Sequence, residues 1–250
     1  MRMIIITLFA GFPLPTASLR HFFGKFRCSA ATVCTHIISS FRLVAGAVLI
    51  VSPWAAWAQP TATLQTLVFI RHAEKPAAGL GQINCQGLNR ALALPAVLLG
   101  KFGKPDFVFA SDPHEKKPDG DQLYNYVRPL LTVAPTAVQA GLPINTSFGF
   151  ENIAGLQQEL AAPRYQNAVV FVAWEHKKLE DVVKAMLKDM GGNPGDVPHW
   201  KGSDFDSIYV VTVRRNDGKA AATFTHERQQ LNGQAAACPA APAEKPAAKP

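Results

Sequence analysis

The sequence predicts an α/β protein: a single-domain, three-layer α/β/α sandwich built on a mostly parallel central sheet. Three observations carry this expectation. Near-continuous apolar runs at Leu67-Val68-Phe69-Ile70, Phe107-Val108-Phe109-Ala110 and Ala168-Val169-Val170-Phe171-Val172-Ala173 read as strands buried on both faces. Stretches of helical spacing alternate with them, as the crossovers of a parallel sheet require. Two of the runs break off in charged pairs, Arg71-His72 and Glu175-His176, at the carboxyl ends where open α/β sheets bind ligands.

The chain has 250 residues and a formal charge of +7, but that charge is uneven. Residues 1–58 hold Arg2, Arg20, Lys25, Arg27 and Arg42 and no acidic residue, so the remainder carries only +2. No basic stripe interleaved with aromatics occurs elsewhere, which excludes nucleic acid as the expected partner. Residues 1–58 read as an export leader. Arg42 precedes the uncharged run of residues 43–54, and Ala56-Trp57-Ala58 supplies a small-x-small site, which puts cleavage after Ala58. The run is shorter than the roughly 20 residues of a membrane span, so no membrane association is expected after cleavage, although an uncleaved anchor is the alternative. A periplasmic or secreted location follows from this reading.

Residues 59–233 then form the one folded domain, and residues 234–250, rich in Ala, Pro and Lys, form a disordered tail. Cys28 and Cys34 leave with the leader. Cys85 and Cys238 remain as an even pair that an oxidising compartment could join, or as two unrelated thiols.

Taken in order, residues 77–84 are small and glycine-rich and read as a loop; Gly79 and Gly81 lack the third glycine of a dinucleotide fingerprint. A helix is expected over residues 85–99 with Leu88, Leu92 and Leu99 on one face, a kink at Pro95 and an end at Gly100. After the second strand, residues 113–121 read as a solvated loop, followed by a helix with Leu123, Val127, Leu130, Leu131 and Ala134 at helical spacing. Pro143 marks an edge-like piece at residues 142–144. Glu151 opens a helix carrying Ile153, Leu156 and Leu160. After the third strand a strongly amphipathic helix follows, with Leu179, Val182, Val183, Met186, Leu187 and Met190 on one face and Gly191-Gly192 at its end. A fourth strand over residues 207–213 leads through Asn216-Asp217-Gly218-Lys219 into an antiparallel strand over residues 221–225.

The segment Arg71-His72-Ala73-Glu74 resembles the Arg-His-Gly motif of the histidine phosphatase superfamily, the phosphoglycerate mutase-like proteins, with Ala73 in place of glycine. Further residues extend the resemblance over residues 67–225, close to its first branch. Gly87-Leu88-Asn89-Arg90-Ala91 is similar to the Gly-x-x-Arg-Ala that opens the helix after the catalytic loop. Arg128-Pro129, Thr132, Pro135 and Ala137 are similar to the segment carrying a second phosphate-binding arginine, and His176 falls where the second site histidine stands. The resemblance implies a phosphoglycerate mutase-like fold, His72 as nucleophile, and Arg71, Arg128 and His176 as its partners on phosphate. It also implies a glutamate as acid, Glu151 first and Glu175 second. Glu175 ranks lower because strand neighbours point to opposite faces. Glu74 is expected to order Lys75 or to face solvent.

These residue types suit phosphoryl transfer. A phosphomonoester is doubly charged and repels nucleophiles, so positive groups must surround it while one attacking atom is held in line. Arginine forks match phosphate oxygens, a neutral imidazole nitrogen can attack, and a second histidine can stabilise developing charge. No His-Glu-x-x-His occurs, and no metal or other cofactor is expected. The expected substrate is a small phosphomonoester, taken by an exported phosphatase. A non-catalytic phosphate-ligand-binding envelope protein and, further off, a phosphomutase are the alternatives.

Overall fold

The computed structural model describes residues 62–240. The expected leader, with its expected cleavage site after Ala58, and residues 241–250 lie outside the described residues. Within them, the apolar runs form the strands of one six-stranded sheet: β1 (Thr63–Arg71), β2 (Phe107–Ala110), β5 (Ile144–Asn145), β6 (Val169–Trp174), β7 (Ser207–Asn216) and β8 (Lys219–Arg228). Their order is β5-β2-β6-β1-β7-β8; the first four pair in parallel, and β7 pairs antiparallel with both β1 and β8. Helices α1 (Cys85–Phe102), α2 (Arg128–Ala140), α3 (Ile153–Leu160) and α4 (His176–Asp189) complete the sandwich.

Alternation along the central strand builds the two faces. Val68 and Ile70 of β1 pack in one cluster with Leu94 and Leu98 of α1 and Val133 and Ala137 of α2. Leu67 and Phe69 pack in the other with Leu156 and Leu160 of α3 and Leu179, Val182 and Val183 of α4. Successive side chains of a strand point to opposite faces, so one apolar run feeds both layers. The three-layer fold expected from the sequence is therefore the fold observed.

Several elements differ from their expected form. α1 runs on past Gly100 to Phe102, with Pro95 inside it, and its buried stripe is Gly87, Arg90, Ala91, Leu94, Pro95 and Leu98. Leu88 and Leu92 are 36% and 53% exposed. The start of α1 meets the loop after β1 through Gly87, where a Cβ would stand 2.5 Å from the Glu74 carbonyl oxygen. Close backbone contact there sets the helix rotation and leaves Leu88 outside. Residues 116–125, expected as loop and helix start, form instead a separate hairpin of β3 (Lys116–Asp119) and β4 (Gln122–Asn125). Leu123 is 61% exposed, and α2 begins only at Arg128.

The β7–β8 hairpin is longer than expected, turning at Asp217 and Gly218, both at positive φ as a two-residue hairpin turn demands. Residues 234–238, assigned from composition to a disordered tail, make no helix or strand but are held against α1. Asn89 Nδ2 donates to the Ala235 and Ala237 carbonyls at 2.8 Å each, and Cys238 is joined to Cys85 by a disulfide.

Candidate active site

Adjacent parallel strands set the site. β1 and β6 pair with Arg71 opposite Trp174, and the His72 N–H donates to the Trp174 carbonyl at 2.9 Å. Arg71-His72 and Glu175-His176 therefore emerge side by side at the carboxyl edge of the sheet. α4 starts at His176, where unpaired backbone N–H groups favour an anion. From α2, Arg128 reaches the same place. Thr132 ties that helix to the loop, since its hydroxyl accepts from the Ala73 N–H at 2.8 Å and donates to the Arg128 carbonyl at 2.8 Å. Arg71, His72, Arg128, Glu175 and His176 line one cavity of about 140 Å³, joined by Lys75, Lys117, Pro118 and Asp119.

His72 is 3% exposed. Its Nδ1 lies 2.8 Å from the Ala73 carbonyl oxygen, a group that can only accept, which assigns the proton to Nδ1 and leaves Nε2 with a free lone pair. Burial, reinforced by the Arg71 and Arg128 charges, pushes its pKa well below the usual 6.5, although the Ala73 hydrogen bond and Glu175 act the other way. The ring is thus neutral at pH 7. Tyr126 and Phe205 meet it edge-on at 5.9 and 6.2 Å between ring centroids.

Arg71 is anchored by Nη1, which donates to the carbonyls of Gly202 at 2.6 Å and Asp204 at 3.1 Å, while its guanidinium lies 3.9 Å from the Phe205 ring centroid. Its Nε is buried and unpartnered within the protein. Arg128 donates from Nε to the Gln82 carbonyl at 3.2 Å and pairs with Asp119. Burial and then Arg71 bring its pKa from 12.5 to about 10, still cationic at neutral pH. Lys117 extends from the hairpin over Tyr126 and Phe150, 4.9 and 4.7 Å from their ring centroids. Such a concentration of positive groups around a small cavity fits a phosphate-sized anion.

The two expected acids are placed differently from one another. Glu151 has a side chain 56% exposed, pairs with Lys178 and does not line the cavity. Glu175 is buried in the site. The alternation argument against it fails because β6 ends at Trp174, and Glu175 is already the N-cap of α4, accepting from the Lys178 N–H at 3.1 Å. Burial works to raise its pKa, but His176, the Lys178 N–H and the Lys117 charge outweigh burial and hold it at about 2. It is therefore ionised at neutral pH.

Glu74, expected to order Lys75 or face solvent, pairs instead with the buried Arg90 at 2.7 Å. Arg90 also donates to Gln229 at 3.0 Å and Asn232 at 3.2 Å and stands 3.5 Å from Asp206. It orders the loop from behind and does not touch the cavity. Sequence reasoning missed Lys75, Lys117 and Asp119 as parts of the site. Asp119-Gly120 is a hairpin-turn signal that pointed to the element carrying two of them. Among the described residues, no group of three or more His, Cys, Asp or Glu side chains could hold a metal ion.

No family model and no curated protein matches the chain. Solved structures do. The chain is similar to a protein assigned as the phosphohistidine phosphatase SixA from Nakamurella multipartitia, with 17% identity, 68% of this chain and 98% of that one covered, and a TM-score of 0.46. It is similar to a mycobacterial glucosyl-3-phosphoglycerate phosphatase, with 12% identity, coverage of 64% and 97%, and a TM-score of 0.42. It is also similar to a phosphoserine phosphatase variant from Entamoeba histolytica, with 13% identity, coverage of 67% and 98%, and a TM-score of 0.39.

Proposed function

We propose that this chain is a histidine phosphatase of the phosphoglycerate mutase-like superfamily, hydrolysing small phosphomonoesters through a phosphohistidine on His72. One observation carries the reading: a buried, neutral His72 whose Nδ1 is engaged by Ala73, set between two arginines at the end of a central parallel strand. Nε2 attacks phosphorus and water then cleaves the phosphorus–nitrogen bond. Arg71, through its free Nε, and Arg128 hold the equatorial oxygens, and His176 stabilises the charge that develops on them. The protein side chains present supply these roles without a metal ion.

An export leader over residues 1–58, cleaved after Ala58, would deliver the protein to the periplasm or outside the cell. The Cys85–Cys238 disulfide suits such an oxidising compartment. Amino-terminal sequencing of the protein recovered from each cell fraction tests this: a cytoplasmic full-length chain would refute it.

The test of the chemistry is hydrolysis of an aryl phosphate in EDTA by the full chain and by His72→Ala. Turnover is expected in the wild type and absent in the variant. No turnover from a folded wild type, with inorganic phosphate still bound, would replace the enzyme by a phosphate-ligand-binding protein.

A further inference from the structure

The site as described has a nucleophile and phosphate ligands but no group placed to protonate the departing alcohol. The carboxylates around it can be taken one by one. Glu74 is spent on Arg90, Glu151 is exposed and paired with Lys178 outside the cavity, and Asp204 accepts from the Ser207 hydroxyl at 2.6 Å and the Asp206 N–H at 2.9 Å without lining the cavity. Glu175 lines it, but its two oxygens are engaged at the start of α4, one accepting from the Lys178 N–H at 3.1 Å and the other 2.7 Å from His176 Nδ1. Asp119 remains.

Resting on the phosphatase reading above, we propose that Asp119, on the β3–β4 hairpin, is the acid and base of this site: it gives a proton to the leaving alcohol and takes one from the attacking water. The chain builds a specific seat for this carboxylate. Asp119 is 7% exposed and lines the cavity with His72. Its Oδ2 accepts from the Gly81 N–H at 3.2 Å, and its Oδ1 from Lys75 at 2.9 Å. Gly79, at φ +83°, passes so close that a Cβ there would stand 2.3 Å from the Asp119 carboxyl carbon. The hairpin supplies the wall of the cavity that the strand ends do not.

The partners of Asp119 explain how it can carry a proton. Asp119 pairs with Arg128 and Lys75. A phosphomonoester takes Arg128 for its own oxygens and brings two negative charges beside Asp119. Losing a cation and gaining a like charge both favour the protonated carboxyl, so the arriving substrate loads the acid with a proton from solvent. As the His72 Nε2–phosphorus bond forms and the phosphorus–oxygen bond breaks, the bonding pair goes to the leaving oxygen, which takes the Asp119 proton. The products are the alcohol, phosphohistidine and the Asp119 carboxylate. Water then attacks phosphorus and passes a proton to Asp119 while the phosphorus–nitrogen pair returns to Nε2. Hydrogen phosphate departs, and Asp119 releases its proton as it rejoins Arg128.

The test compares the full chain with Asp119→Asn and His72→Ala on two probes, p-nitrophenyl phosphate and glycerol 2-phosphate, reading kcat/KM, which reports the step that expels the alcohol. Nitrophenolate leaves without a proton and glycerol does not. Asp119→Asn should lower kcat/KM on the alkyl ester by about 10²–10⁴-fold and on the aryl ester by less than about tenfold, with a burst of nitrophenol as phosphohistidine accumulates. Equal losses on both esters, or none on either, would overturn the role of Asp119 while leaving the phosphatase reading intact. Activity surviving in His72→Ala would remove both. Where Asp119→Asn does not fold, the wild type decides on a series of esters: a shallow dependence of kcat/KM on leaving-group pKa is expected, and a steep one refutes the proposal.

Discussion

Glu175 Oε1 lies 2.7 Å from Nδ1 of His176, its neighbour in the chain, with both side chains buried at the start of α4. This contact couples stability to pH. The Glu175 carboxyl falls from an ordinary 4.5 to about 2 on folding, so the ionised form is favoured in the native state. A depressed carboxyl stabilises fully above pH 4.5, and that contribution is lost as pH falls from there towards 2. Urea midpoints measured from pH 6 to pH 2.5 should therefore fall more steeply for wild type than for Glu175→Gln. Parallel curves would contradict the coupling.

The neutral state of His72 bears on the pH dependence of the proposed hydrolysis. Burial and the neighbouring arginines hold its pKa well below 6.5, so the ring of the proposed nucleophile is neutral at pH 6.5 and above. In a profile of kcat/KM corrected for ionisation of the substrate, no acid limb should appear with a midpoint at 6.5 or above. Exposing the site by Phe205→Ala, which strips a ring from both Arg71 and His72, should move the limb upward.

Removing Arg90 should unfold the region behind the loop that follows β1. Arg90 is 1% exposed and faces two carboxylates, Glu74 and Asp206, which would be left buried without their cation. Arg90→Leu should cost about 3–5 kcal/mol in denaturant unfolding. A cost under about 1 kcal/mol would show that water replaces the guanidinium.

Reduction of the Cys85–Cys238 bond should also destabilise the domain. The bond closes a loop with a sequence separation of 153 residues, and a loop of that size loses substantial freedom in the unfolded chain. A cost of about 2–5 kcal/mol is expected, seen as a lower Tm in reductant and in Cys238→Ser. Reductant should leave the Tm of Cys238→Ser unchanged.

How far the sequence spoke depended on where each signal resides. β1, β2 and β6 were legible because their central runs, buried on both faces, are continuously apolar, and Arg71-His72 and His176 stood out as polar side chains ending such runs. α4 was legible because its two faces differ in polarity at helical spacing. The hairpin at residues 116–125 was not. Its strands are mostly exposed and carry lysines, a proline and an aspartate, so they show no alternation, and only Asp119-Gly120 marked the turn. The face of α1 was misread because leucines were counted, while a glycine contact and a buried arginine decide which way that helix turns.

By itself the sequence determined the layered α/β fold and the residues that end its central strands, since local apolar spacing dictates both. Only the tertiary structure decided which carboxylates join the site. Asp119 meets Lys75 across 44 residues and Arg90 meets Asp206 across 116, contacts between charged groups with no periodic trace in the chain. Burial then separates the acids: Glu151 faces water, Glu175 is held ionised, and Asp119 sits against the cations that a phosphate would claim. Hydrophobic pattern is written along the chain, whereas the electrostatics of a closed cavity exist only once distant segments have excluded water around it.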